Sequence, residues 1–359
     1  MQKIPATIVT GFLGAGKTTL IRNLLQNAGG RRIALIVNEF GDLGVDGDLL
    51  KGCGVEACRE DDVVELTNGC ICCTVADDFV PTMTMLLDRD RPLDHIVIET
   101  SGLALPQPLV AAFNWPQVKA RVTVDGVVTV IDAAAVAAGR FAHDEAALAA
   151  QRAADESLDH DDPLEELFED QIVAADMIVL SKADLVDAAT LARVSEQVSE
   201  HGSAKIVVSQ GGRLPAEVLL GIGAGTEDLI AGRRSHHEIE HEGGAPHDHD
   251  DFESFVAQAG PLADTDAFVA GLKQLIAEED ILRVKGFAAV ADKPMRLVVQ
   301  AVGTRIETYF DRPFAPGEAR GSRLVVIGLH DGLDAAAQAR IVARIEALAA
   351  GEALGAAAE

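Results

Sequence analysis

Residues 11–18 (GFLGAGKT) constrain the fold more than any other part of the sequence, because they match the pattern G-x-x-x-x-G-K-[ST]. An apolar, β-branched run at residues 4–10 precedes them, and a helical pattern at residues 17–28 follows. Glycines let such a loop curl so that its N–H groups face a phosphate, and the positive end of the following helix adds to the attraction. The sequence therefore predicts a phosphate-binding loop between a buried strand and a helix.

The same loop supplies side chains for a nucleotide and its magnesium ion. The charge of Lys17 suits the β- and γ-phosphates, and the hydroxyl of Thr18 is a ligand for Mg²⁺. The residues predicted to bind the phosphates are Gly11, Gly14, Ala15, Gly16, Lys17, Thr18 and Thr19.

A phosphate loop of this type also needs an acidic residue beside its Mg²⁺ ion, and that residue normally ends a neighbouring strand. Glu99, at the end of the apolar run 95–99, is in such a position. Glu99 is expected to hold Mg²⁺ directly or through water. Gly102, three residues further on, is expected to donate its N–H to the γ-phosphate. We therefore predict Lys17, Thr18 and Glu99 as the catalytic residues.

The segment Ser181-Lys182-Ala183-Asp184 follows another apolar run and resembles the guanine-binding N-K-x-D motif of GTPases, with Ser181 in place of Asn. The Asp184 carboxylate would accept from the N1–H and the exocyclic amine of guanine, and adenine offers neither in that arrangement. Lys182 would lay its stem along the base. Ser181, Lys182 and Asp184 are thus predicted to bind the guanine nucleotide.

Short β-branched runs alternate with helical patterns over the first 230 residues or so, which is typical of an α/β domain with a mainly parallel, doubly wound sheet. We predict a first domain at residues 1–232, a linker at 233–251 and a small α+β domain at 252–359. The predicted strands of the first domain are 4–10, 33–38, 63–66, 95–99, 122–132, 177–181 and 205–209, and two of its helices are 17–28 and 76–87. The second domain is predicted to contain strands near 252–256, 281–290, 295–302 and 323–328, with helices near 264–277 and 334–350.

All five cysteines lie between Cys53 and Cys73, and three of them, Cys70, Cys72 and Cys73, stand in the glycine-led turn NGCICCT. Three thiolates at this spacing can converge on one soft or borderline metal ion. Buried structural cysteines and C-x-C redox chemistry are the alternatives. We do not predict Cys53 and Cys58 as ligands, because no matching histidine pair accompanies them.

Glu39 follows the predicted strand 33–38, as Glu99 and the cysteine turn follow theirs. In a doubly wound sheet the carboxyl ends of the strands form the ligand-binding crevice. Glu39 is therefore predicted as a metal-site residue, and a metal on the thiolates would lie near the γ-phosphate.

The predicted linker contains half of the ten histidines of the chain beside six acidic residues. Neutral imidazoles bind borderline metals, and carboxylates raise the local cation concentration. We predict weak metal sites here, with a plain solvated linker as the alternative. The histidines are His236, His237, His241, His247 and His249.

A formal net charge of −27 argues against nucleic acid or an anionic membrane surface as a partner. Residues 155–170 carry nine acidic side chains and no Lys or Arg, and are expected to form a solvated helix or loop. Neither a signal peptide nor a run long enough to span a membrane is apparent, and crowded cysteines suit a reducing compartment. We expect a cytoplasmic protein.

The strings GFLGAGKTT, NEFGDLGVDGDLL, ELTNGCICC, VIETSGLALPQP and SKAD together resemble the family of CobW-type metallochaperone GTPases. The resemblance covers the whole chain. It implies a P-loop GTPase domain followed by a CobW-type C-terminal domain, hydrolysis of GTP to GDP and phosphate with Mg²⁺, and a metal site at Cys70, Cys72 and Cys73.

Within that family the string NEFGDLGVDG…ELTNGCICCTVADDF is most similar to members linked to aerobic cobalamin biosynthesis. This resemblance implies delivery of Co²⁺ to a cobaltochelatase or another metal-accepting protein, with GTP hydrolysis releasing the metal. Zn²⁺ is the alternative cargo, because thiolate and imidazole suit both ions. A nucleotide-independent metal store and an ATP-driven subunit of a metal chelatase are the other possibilities.

Overall fold

The computed structural model describes residues 3–28, 30–38, 63–66, 79–142, 144–154, 164–220, 252–315 and 318–352. The chain divides into two compact units, of which one spans Lys3–Leu220 and the other contains the described residues from Phe252 onward. The predicted linker 233–251 lies outside the described residues and stays a prediction. Within the described part of the chain, none of the helices combines the length and apolarity that crossing a membrane requires.

The first unit is built on a seven-stranded sheet with the order β3-β2-β4-β1-β5-β6-β7, and every neighbouring pair of strands is parallel. The predicted α/β class with a parallel, doubly wound sheet is therefore confirmed. The strands are β1 (Ile4–Thr10), β2 (Ile33–Asn38), β3 (Val63–Leu66), β4 (His95–Glu99), β5 (Val122–Asp132), β6 (Met177–Ser181) and β7 (Lys205–Val208).

Helices connect these strands, as parallel pairing requires. The first begins at Lys17, directly after the phosphate loop, and ends two residues before the predicted boundary at 28. The helices are α1 (Lys17–Gln26), α2 (Val80–Leu87), α3 (Pro106–Ala112), α4 (Pro116–Lys119), α5 (Ala133–Ala137), α6 (Glu145–Ala154), α7 (Leu164–Val173), α8 (Ala188–His201) and α9 (Ala216–Leu220).

The central strands are buried on both faces, which explains their near-continuous apolar sequences. All five residues of β4 and all eleven of β5 are buried. Ala6 and Ile8 of β1 pack in a cluster with α2 and α3, whereas Ile178 and Leu180 of β6 pack with α7 and α8. This sheet carries the phosphate loop, Glu99 and the segment 181–184 at its carboxyl edge.

The second unit has a five-stranded antiparallel sheet with the order β11-β10-β9-β12-β8. Two helices among its described residues, α10 (Thr265–Glu278) and α11 (Ala335–Ala350), share one apolar core with one face of the sheet. The guanidinium of Arg340 lowers the pKa of Glu279, which links the end of α10 to α11. The strands are β8 (Phe252–Ala259), β9 (Ile281–Ala289), β10 (Met295–Val302), β11 (Arg305–Pro313) and β12 (Ser322–Leu329).

Strand β11 is absent from the sequence-based prediction. It lies at the edge of the sheet and pairs only with β10 among the described strands, so most of its residues are partly exposed. Its sequence, RIETYFDRP, therefore lacks the apolar run by which the other strands were identified. Charged residues and a terminal proline are typical of edge strands, which they protect from further pairing.

Candidate nucleotide site

The phosphate loop joins the end of β1 to the start of α1, and three of its glycines adopt positive φ angles. Gly14 has a φ of 72° and Gly16 a φ of 102°, a region that L side chains rarely adopt. Gly11 is constrained in a second way, since a Cβ atom there would lie 2.1 Å from the carbonyl oxygen of Val130 on β5. The glycines of the motif are thus required by the backbone conformation.

Lys17 is buried, and its ammonium group lies against the loop itself. Its Nζ donates to the carbonyl oxygens of Gly11, at 2.7 Å, and Phe12, at 3.3 Å. These contacts hold a positive charge over the loop. An anion bound in this loop would therefore meet a cation that is already positioned.

Thr18 and Glu99 come from different elements and meet at the same point. Val9 pairs with Glu99 in the β1–β4 ladder, so the end of β4 lies beside the start of the phosphate loop. The Thr18 hydroxyl donates to Oε1 of Glu99 at 2.9 Å, and the Glu99 side chain is buried. A hydroxyl next to a buried carboxylate is an all-oxygen donor set, which is the kind that Mg²⁺ prefers.

Ser181 connects the SKAD segment to the phosphate loop. Its hydroxyl oxygen lies 2.5 Å from the carbonyl oxygen of Ala15 and 3.1 Å from that of Ile131, and it has one proton to donate. A Cβ on Gly16 would lie 3.7 Å from the Ser181 hydroxyl. The Ser181 side chain therefore contacts the backbone of the phosphate loop.

The next residue, Lys182, adopts a left-handed conformation with φ 54°, and its Nζ lies 2.5 Å from Oδ2 of Asp132. Asp132 also caps α5 by accepting from the N–H groups of Ala134 and Ala135, at 3.0 Å each. Asp184 is exposed in the short 3₁₀ turn that follows. Its carboxylate is therefore open to a ligand at the carboxyl end of β6.

One loop at this edge was missed by the sequence analysis. It follows β7 and contains Gly211 and Gly212, both with positive φ. Asn23 of α1 donates from Nδ2 to the carbonyl oxygens of both glycines at 3.0 Å, and a Cβ on Gly212 would lie 2.8 Å from Cγ2 of Thr19. The paired glycines after an apolar run were the available signal.

The turn after β4 contains Gly102, which is buried. Its position is fixed at the strand end, where the N–H of Thr100 donates to the carbonyl oxygen of Val9 at 3.0 Å. The contact between its N–H and a γ-phosphate stays a prediction.

Thr18 and Glu99, the residues predicted to hold Mg²⁺, are described by the structure, whereas the other predicted metal-site residues lie outside the described residues. In the part of the chain that the structure describes, no group of three or more His, Cys, Asp or Glu side chains is placed to hold a metal ion. The residues outside are Cys70, Cys72, Cys73, Glu39, His236, His237, His241, His247 and His249, together with Cys53 and Cys58.

The parallel sheet and its glycine loop define a P-loop nucleotide-binding domain. Comparison with protein families then identifies the group: residues 5–209 match the CobW/HypB/UreG nucleotide-binding domain, and residues 252–346 match the cobalamin synthesis protein cobW C-terminal domain. The chain belongs to the CobW/HypB/UreG family and is a P-loop GTPase of the metallochaperone group.

Individual relatives resemble the chain over nearly its whole length. A Sinorhizobium protein named zinc chaperone CobW is 64% identical over 345 residues, which are 96% of this chain and 98% of that protein. A Pseudomonas aeruginosa protein of the same name is 52% identical over 334 residues, covering 91% and 88% of the two chains. The Escherichia coli zinc chaperone YjiA is 29% identical over 347 residues, covering 92% and 95%.

Proposed function

We propose that the protein is a GTP-dependent chaperone that binds Zn²⁺ at Cys70, Cys72 and Cys73 and releases it to an acceptor protein when GTP is hydrolysed. The observation that carries the nucleotide half is the 2.9 Å hydrogen bond between Thr18 and Glu99 beside the phosphate loop. The names of the relatives at 64% and 52% identity support zinc as the cargo.

The proposed binding of GTP with Mg²⁺ is supported by the placement of three side chains. Thr18 and Glu99 together offer the oxygen atoms that would hold Mg²⁺, and the bound ion would supply positive charge beside the phosphates. Lys17 places its charge over the loop that receives the phosphates. The positive φ angles of Gly11, Gly14 and Gly16 curl the loop so that its backbone N–H groups can face the phosphates.

The guanine preference rests on Asp184, so we expect Asp184→Asn to weaken GTP binding by about tenfold or more and to favour xanthosine triphosphate, whose base presents the complementary groups. Lys182 and Asp132 keep their ion pair in this variant, and the fold should therefore be unchanged. Direct titration of GTP, ATP and xanthosine triphosphate is the measurement. Equal affinity of the natural protein for GTP and ATP would overturn the assignment.

The proposed link between the metal site and the nucleotide depends on where the cysteine turn begins. It follows β3, which ends at Leu66 and lies two places from β4 in the sheet order β3-β2-β4. Neighbouring strands are about 4.8 Å apart, so the carboxyl ends of β3 and β4 are roughly 10 Å apart. The cysteine turn therefore begins about 10 Å from Glu99 and the predicted γ-phosphate position. This short distance supports the proposal that metal binding and nucleotide binding affect each other.

Co²⁺ remains a second candidate cargo, favoured by the match of residues 252–346 to the cobalamin synthesis protein cobW C-terminal domain. Thiolate sites bind both ions, and Zn²⁺ binds such ligands more tightly than Co²⁺ does. A Co²⁺ chaperone would therefore need selective geometry or a local supply of cobalt.

Competitive titration of Zn²⁺ and Co²⁺, without nucleotide, with GDP and with a non-hydrolysable Mg·GTP analogue, tests the proposal. We expect the analogue to tighten Zn²⁺ binding by about tenfold, within the usual range for coupled sites, and the metal to tighten the analogue by the same factor. Thiolate charge-transfer absorption should appear when Co²⁺ serves as a probe. Unchanged metal affinity in all three states would favour the metal-store alternative.

Two sets of variants make this titration specific. Replacing Cys72 and Cys73 with Ser should remove the tight site and the charge-transfer band, whereas the matched replacement of Cys53 and Cys58 should leave both. Deleting residues 235–251 should remove only weak, nucleotide-independent binding. Loss of the tight site on deletion would make the histidines primary ligands.

A further inference from the structure

Gln171 of α7 is a buried side chain that no predicted role accounts for; it is 1% exposed. Its Nε2 group has two protons and donates to two carbonyl oxygens, those of Gly102 and Ala104, both at 3.1 Å. The backbone carbonyl oxygen of Gln171 in turn accepts from the hydroxyl of Thr129 on β5 at 2.8 Å. The side-chain amide therefore holds the turn after β4 to a helix that is itself fixed to the sheet.

The same turn is connected to the residue that precedes the phosphate loop. The Thr100 hydroxyl donates to Oγ1 of Thr10 at 2.9 Å, and Thr10 Oγ1 donates to the carbonyl oxygen of Ala104 at 3.4 Å. Thr10 and Thr100 are both buried. The end of β1, the segment after Glu99 and α7 thus share one hydrogen-bonded network away from solvent, where such bonds are strong and costly to leave unmade.

A second side chain on the same face of α7 contacts the phosphate loop. Phe168, one turn before Gln171, stacks on Phe12 with ring centroids 5.8 Å apart and an interplanar angle of 24°. Phe168 and Gln171 stand three residues apart, the spacing that places two side chains on one helix face. One helix therefore contacts both the loop that receives the phosphates and the turn predicted to meet the γ-phosphate.

We propose that Gln171 is a positioning residue that enables the protein to distinguish GTP from GDP. By holding the carbonyl groups of Gly102 and Ala104, it fixes the backbone on both sides of Leu103. This brings the Ala104 N–H to the carbonyl oxygen of Ser101, at 3.2 Å, and that carbonyl shares a peptide plane with the Gly102 N–H, the predicted donor to the γ-phosphate. GDP lacks that phosphate, so its binding does not depend on the turn. This inference rests on the proposed function, because it assumes that GTP occupies the phosphate loop.

The test is Gln171→Met in the full-length protein, which keeps the length and packing of the side chain and removes both donors. We expect the Kd for a non-hydrolysable GTP analogue with Mg²⁺ to rise about tenfold, the effect of losing a hydrogen-bonded arrangement worth about 1.4 kcal/mol. The Kd for GDP should stay within about twofold, since no interaction with its two phosphates is removed.

Thr129→Val is the matched control. It removes the buried hydrogen bond to the Gln171 backbone and leaves both amide bonds in place. We expect this variant to be less stable to heat and to keep the natural ratio of the two Kd values. An equal loss of both nucleotides in Gln171→Met, or an unchanged ratio, would overturn the proposal.

Amide hydrogen exchange of the unsubstituted protein gives a second readout that does not depend on the variant folding. The segments around residues 101–105 and 168–173 should exchange more slowly with the GTP analogue than with GDP. The same exchange in both states would contradict the role of Gln171. Absence of any GTP binding by the natural protein would instead refute the proposed function.

Discussion

Replacing Lys17 with Ala is expected to weaken binding of Mg·GTP by about 100-fold or more, because charge-assisted hydrogen bonds to a phosphate are among the strongest polar interactions in proteins. The ammonium is buried and held against the carbonyl groups of Gly11 and Phe12, so the substitution removes a charge that the loop itself keeps in position. Titration with a fluorescent GTP analogue measures the loss.

The control for this variant is Lys119→Ala, which removes an exposed lysine whose Nζ donates to the side chain of Asn114 at 3.2 Å. It changes the net charge equally and should leave the affinity for GTP unchanged at moderate ionic strength. Thermal unfolding should show that both variants are folded. Retention of GTP affinity within about threefold in Lys17→Ala would refute the assignment of the phosphate site.

Replacing Glu99 with Gln is expected to reduce kcat for GTP hydrolysis by about 100-fold, the usual cost of removing one electrostatic contact to the reacting centre. The substituted amide oxygen can still accept from Thr18, so the change isolates the carboxylate charge that would face Mg²⁺. Steady-state hydrolysis measured against Mg²⁺ concentration is the assay. Affinity for GDP without Mg²⁺ should change little.

Asp94→Asn provides the comparison for this variant, because Asp94 is an exposed carboxylate at the opposite end of the same strand, where it accepts from the N–H of Arg32 at 2.8 Å. It should leave hydrolysis and its magnesium dependence as they are. If Glu99→Gln hydrolyses GTP with unaltered magnesium dependence, the carboxylate has no part in holding the metal.

The sequence was sufficient to predict the parallel sheet because its central strands are buried on both faces and therefore appear as apolar runs. Five of the seven strands of the first unit are interior to the sheet order. The meeting of Thr18 and Glu99 also follows from the sequence, since a loop after one strand and an acid at the end of its neighbour reach the same edge.

Side chains whose role depends on tertiary contacts could not be predicted in this way. Gln171 and Phe168 stand in or beside the acidic stretch 155–170, which was expected to be solvated, yet both are buried against the nucleotide site. In an amphipathic helix the charged residues lie on the exposed face, so a high content of acidic residues does not show whether the other face is buried. The edge strand β11 was missed for the related reason that half-exposed residues carry a weak pattern.

The choice between zinc and cobalt depends on more than the types and spacing of the ligand residues. Thiolate and imidazole ligands accommodate zinc and cobalt alike, so residue types at a given spacing identify a metal site but do not choose the ion. The choice depends on coordination geometry and on metal supply in the cell, and the competitive titration measures the first of these.

The close approach of Gly11 to Val130 has a consequence for protein engineering. A grafted phosphate loop is usually defined by its own eight letters, yet here its first glycine is required by the carbonyl group of a neighbouring strand. Gly14, in contrast, has open space around its Cβ position and is needed only for its φ angle. Asn, which tolerates that backbone region, is therefore a reasonable substitute at Gly14 but not at Gly11. Transplanting this loop would require transplanting β5 with it.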